Sequence, residues 1–127
     1  MSQPIGKSKL DKSYIFRLPI YGYMIKITVS RDIKESVKND RIICDLDLET
    51  TSAIHFPVAN DALSLLYLPL DATINDIAHE GCHVAQRIIE WIGAGYKDKE
   101  FVAYLYGHVV QGLYGFHQKA KKYLETH

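Results

Sequence analysis

Three observations predict an α+β domain. Aromatic and β-branched residues crowd the first half of the chain. Apolar residues at helical spacing dominate the second. The two kinds of segment follow one another rather than alternate, which places a sheet first and helices after it. The expected arrangement is an N-terminal antiparallel sheet, then one long helix and a second C-terminal helix. All of it forms one domain over 1–127, with 1–12 a loose lead-in.

The elements follow in order. Ser13 to Ser30 (SYIFRLPIYGYMIKITVS) suits a pleated surface, and Pro19 and Gly22 place a turn between two strands near residues 19–22. Tyr23, Ile25, Ile27 and Val29 alternate with Met24, Lys26 and Thr28, so one face of that strand is buried. Arg31 to Asp40 is charged and reads as a short helix or a long loop. Arg41 to Leu48 reads as a strand. Ser52–Val58 and Ala62–Leu68 flank Asn60-Asp61, a hairpin signal, with a helix over Asp61–Leu68 as the alternative.

Thr73 with Asp76 three residues on forms an Asp variant of the capping box and starts the long helix. Ile74, Ile77, Ala78, Cys82, Ala85, Ile88, Ile89 and Ile92 recur along it at helical spacing, and Gly93 and Gly95 end it. Asp98 caps a second helix carrying Phe101, Val102, Leu105, Val109, Val110 and Leu113. Gly112 and Gly115 are expected to kink or break it before FHQKAKKYLE, which is again helical in character.

The chain has 127 residues, 47% hydrophobic and 24% charged, with 15 basic and 15 acidic side chains. Zero net charge gives no pull toward nucleic acid, and no apolar run is long enough to span a membrane. Met1 to Ser13 has no apolar region of the signal-peptide kind, and the cysteines are Cys44 and Cys82. A cytoplasmic protein with reduced thiols is expected.

Chemistry concentrates in DIAHEGCHVAQRIIEW, Asp76 to Trp91. On a helix, His79 and His83 stand one turn apart on one face and can both reach a single Zn²⁺. Glu80 is placed to take a proton from a zinc-bound water. A catalytic zinc needs a third protein ligand, and two candidates stand out. Cys82 is inside the motif but turned toward the apolar side. Glu100 opens the second helix and is the better placed. The first helix runs roughly 13 Å past His83, and the connecting GAGYKDK reaches up to about 23 Å, so the chain can return to the metal.

With HEGCH and Glu100 in place, the chain resembles a small zincin metallopeptidase of the gluzincin kind. It is similar to the short HExxH proteins carried by phages and prophages over HEGCHVAQRIIEWIGAGYKDKEFVAYLYGHVVQ, within roughly residues 70–112. The resemblance implies a minimal zincin-like fold and hydrolysis of a peptide bond in a protein or peptide substrate. It assigns His79, His83 and Glu100 as zinc ligands and Glu80 as general base. The compartment is the host cytoplasm if the protein is phage-encoded. Many gluzincins carry an aspartate four residues after the ligand glutamate. Here that position is Tyr104, a candidate for orienting a ligand or polarising the scissile carbonyl.

Other residues have both functional and ordinary readings. His108 shares a helix face with Glu100 and Tyr104, and is a substrate contact or a hydrogen-bonded structural histidine. His55 lies on a candidate strand, beside the substrate or facing solvent. Gly81 marks a close approach by a strand or substrate, or is simply tolerated. Two rival functions remain. One is a non-catalytic zincin-fold binding protein acting on a host or viral partner. The other is a zinc hydrolase of a non-peptide amide.

Overall fold

The computed structural model describes residues 9–19, 22–42, 53–93 and 98–127. In chain order the elements are β1 (Asp11–Arg17), β2 (Met24–Ser30), α1 (Ile33–Asn39), β3 (Ile54–Pro57), β4 (Leu63–Pro69), α2 (Ile74–Ile92) and α3 (Lys99–Thr126). The fold is α+β. The strand expected over Arg41–Leu48 lies, from residue 43 on, outside the described residues.

The sheet is not purely antiparallel as the strand–turn–strand pattern suggested. Its order is β1-β2-β4-β3: β1 and β3 each pair antiparallel with their neighbours, while the central β2 and β4 run parallel. The reason is the charged segment after β2. It forms α1, capped by Asp32, and the chain crosses over before the β3–β4 hairpin inserts β4 beside β2. A parallel pair requires such a crossover. The hairpin turn has Asn60 in the left-handed region at φ 65°, and Leu63–Pro69 is strand rather than helix.

The expected buried face of β2 is buried throughout: Tyr23, Ile25, Ile27 and Val29 are inaccessible, together with Leu66 and Leu68 of β4. α2 and α3 pack on this face and supply Ile77, Val84, Ile88, Val109 and Leu113 to the same core. α2 lies against β3, and α3 against β1 and β2. The opposite face is covered by α1, whose Ile33 and Val37 meet Tyr67. Thr28, on the alternate face of a strand expected to bury only one face, is buried as well, and so is Ser30. Ser30 hydrogen-bonds Ser36 of α1 at 2.6 Å, and Thr28 bonds Ser13 at 2.8 Å.

The α2 cap forms as its sequence implies. Thr73 Oγ1 accepts from the Asp76 N–H at 3.1 Å, and the Thr73 N–H donates to the Asp76 carboxylate at 2.9 Å. Gly93 closes the helix at φ 71°. Ile74, grouped by spacing with the apolar stripe, is instead 63% exposed. It opens α2 ahead of Ile77, the first residue to reach the core.

α3 does not break at Gly112 or Gly115 but runs unbroken to Thr126. Gly112 is there for space, since a Cβ at this position would strike the Phe16 ring. Gly81 has a related cause. A Cβ there would sit 2.7 Å from Val110 Cγ2, so α3, rather than a strand or substrate, is what comes close.

Candidate functional site

α2 presents His79 and His83 on its solvent side, both exposed. Their Nε2 atoms are 3.2 Å apart, and the rings are steeply inclined at 78°. Two imidazoles bound to one tetrahedral zinc, with Zn–N near 2.0–2.1 Å, place their nitrogens about 3.3 Å apart. The pair therefore has the bite of a single ion.

Glu80, between them in sequence, is turned inward and only 8% exposed. Burial raises its carboxyl above the usual range, and the charges of His83 and His79 partly offset that rise. Such a carboxylate is a better proton acceptor than one in water.

Beside this face, α2 and β3 border an open cleft of about 440 Å³ whose walls include Ile54, His55, Glu80, His83, Arg87 and Glu90. His55, expected on a strand either beside the substrate or facing solvent, lines this cleft. Its Nε2 lies 2.7 Å from Ser64 Oγ, which lies 2.7 Å from the Tyr23 hydroxyl. Ser64 and Tyr23 are inaccessible. Burial, then the nearby charges of His83 and Arg87, lowers the His55 pKa to about 4. His55 is therefore a neutral imidazole at pH 7.

Arg87, one turn beyond His83, donates from an Nη to the Val58 carbonyl at 3.3 Å and lies 5.6 Å from the Trp91 ring centroid. Among the described residues its Nε is buried and meets no acceptor. Helical spacing from His79 through His83 leads directly to Arg87. For Ser64 and Tyr23 the sequence carries no comparable signal, because only the β2–β4–β3 pairing brings them to His55.

The remaining candidates lie elsewhere. Gly81 faces Val110 and Leu113, so α2 and α3 touch there. His83, two residues on, is turned about 200° around the helix axis, onto the flank away from α3. Ile88 and Ile92 of α2 share a cavity with Phe101 and Leu105 of α3, so the helices run antiparallel. In that register Glu100, exposed in the first turn of α3, stands level with the end of α2, about 12 Å along the axis from His83. The connection is long enough for Glu100 to return, but the antiparallel register carries it past the histidines.

Cys82 is a half-buried free thiol. Among the described residues, no group of three or more His, Cys, Asp or Glu side chains gathers as a metal would require. Tyr104, 78% exposed, and His108 line a separate cavity, about 390 Å³ and almost wholly apolar, with Leu18, Ile88 and Leu105. His108 also packs 5.6 Å from the Phe16 ring. Neither residue belongs to the cleft that holds His83 and Glu80.

Among the described residues no helix is long and apolar enough to cross a membrane. No family model, curated protein or solved structure matches the chain.

Proposed function

We propose that the protein is a zinc-dependent peptidase of zincin-like build, in which His79 and His83 hold the ion and Glu80 is the general base. The observation that carries this is the 3.2 Å separation of the two Nε2 atoms on the helix that also buries Glu80. Zinc held there supplies a Lewis acid that brings the pKa of water toward neutrality. The chain's own groups do the rest. Glu80, whose burial makes it the better base, accepts the proton of the attacking water and then passes it to the more basic leaving amine. β3, an edge strand among the described residues, offers a free backbone edge to an extended peptide beside α2.

Of the proposed set, His79 and His83 stand at a separation that a single ion would span. Glu100 joins them only if the first turn of α3 comes round to the other flank of α2. Zinc content of metal-unsupplemented protein, measured for the wild type, Glu100→Ala and His83→Ala, tests the set. About one zinc per chain, lost in His83→Ala, is the expected result. Loss in Glu100→Ala as well places Glu100 in the site, and retention removes it. Glu80→Gln is expected to keep the metal and lose peptide hydrolysis by at least about 100-fold. Unchanged hydrolysis in that variant would end the peptidase assignment.

The distance of Glu100 favours one alternative, a non-catalytic zincin-fold protein that acts by binding a host or viral partner. That alternative is preferred if the wild type takes up no zinc after reconstitution.

A further inference from the structure

Peptide hydrolysis needs a donor for the carbonyl oxygen as it becomes an oxyanion. The sequence offers Tyr104 and His108 for this, and both line the cavity on the other side of α2. The cleft itself is lined by His55, and the hydrogen bonds behind that ring determine where its proton sits.

Tyr23 is wholly buried, and among the described residues its hydroxyl meets only Ser64 Oγ. A buried O–H left without an acceptor is costly, so the Tyr23 proton is donated to Ser64. Ser64, equally buried, must place its own proton on its other partner, His55 Nε2. A neutral imidazole accepting at Nε2 carries its proton on Nδ1. The opposite tautomer would give Ser64 two incoming donors and leave its own proton without an acceptor.

We infer that the Tyr23–Ser64 relay locks His55 as the Nδ1–H tautomer, and that this N–H is the oxyanion donor of the cleft. The inference rests on the peptidase reading for the reaction it serves. In the step itself, water adds to the scissile carbonyl carbon, Glu80 takes the water proton, and the carbonyl π pair moves onto oxygen. The Nδ1–H of His55 donates a hydrogen bond to that oxygen and keeps its proton. The same arrangement excludes His55 as a metal ligand: Nε2 is occupied by Ser64 and Nδ1 is protonated. Ser64 and Tyr23 are positioning residues, acting only through His55.

The test has two independent arms. Long-range ¹H–¹⁵N correlation spectra of ¹⁵N-histidine-labelled, metal-free protein at neutral pH read the tautomer directly, with His55→Gln identifying the resonance. The expected result is protonated Nδ1 and bare Nε2, with Ser64→Ala admitting the other tautomer. A protonated Nε2 in the wild type overturns the inference whatever the enzyme does.

The second arm is steady-state cleavage of a quenched-fluorescent peptide library by zinc-loaded protein. His55→Phe should lose about 100-fold in kcat with KM little changed, and His55→Gln, which keeps an N–H donor, should recover part of it. Equal kcat in wild type and His55→Phe overturns the catalytic role. Failure of the peptidase reading shows separately, as cleavage that survives Glu80→Gln or is absent from the wild type. Absent cleavage also removes the catalytic role of His55, while the spectra still decide its tautomer.

Discussion

His55 shows how one residue's surroundings set its chemistry. An exposed histidine titrates near 6.5; this one is held to about 4, chiefly by burial. Protonating it would also require Nε2 to donate, which reverses the hydroxyl relay behind it. Between those two values the unfolded chain binds more protons at this site than the folded one, so stability rises with pH across the window and is lost as pH falls from about 6.5 to about 4. Discounted for the ring's partial exposure, the loss should be about 1–2 kcal/mol. Urea unfolding of metal-free protein at several pH values checks this. The wild-type curve should fall on the acid side more steeply than that of His55→Gln, and parallel curves would remove His55 from the acid response.

At the scale of elements, the helices depend on local chemistry at their ends and on a lack of side chains in their middles. The Thr73–Asp76 capping box closes both ways, so Thr73→Ala should cost about 1 kcal/mol in chemical denaturation. Gly112 is more demanding. Alanine is the better helix former by about 1 kcal/mol, yet its methyl group would strike Phe16, a buried ring that also packs 5.5 Å from Phe116. Overpacking should win, and Gly112→Ala should be destabilised by a net of about 1–2 kcal/mol. If Phe16→Leu in the same chain recovers part of that loss, the clash is confirmed as its source.

At the scale of the molecule, the sheet is covered on both faces. α2 and α3 bury the face that carries the large core, and α1 closes the other through Ile33 and Val37, through Ser36 bonded to Ser30, and through its C-cap Asp40, which accepts from the Tyr67 hydroxyl at 2.5 Å. Burial and that carboxylate raise the phenol well above its ordinary pKa. Tyr67→Phe should therefore cost about 1.5–3 kcal/mol, the usual worth of a hydrogen bond to a charged group. Earlier hydrogen exchange in α1 than in α2 would show that the loss falls on the back face. The same layering sets the site, because α2 meets β3 on one flank and α3 on the other.

What the sequence by itself determined is local: the strand alternation of Tyr23 to Val29, the Asn60 turn, the Thr73 and Asp98 caps, and the placement of His79 and His83 one turn apart beside Glu80. Each depends on residues within a few positions of one another, where backbone geometry leaves little choice. What only the tertiary structure decided is which flank each helix turns to which neighbour. A seven-residue connection permits Glu100 to reach the histidines, but the antiparallel register set by Gly81 against Val110 puts it at the far end of α2. Parallel pairing of β2 with β4 brings Tyr23 and Ser64 beneath His55 across three strands. Such contacts come from the packing of whole faces, and no short-range pattern in the chain encodes them.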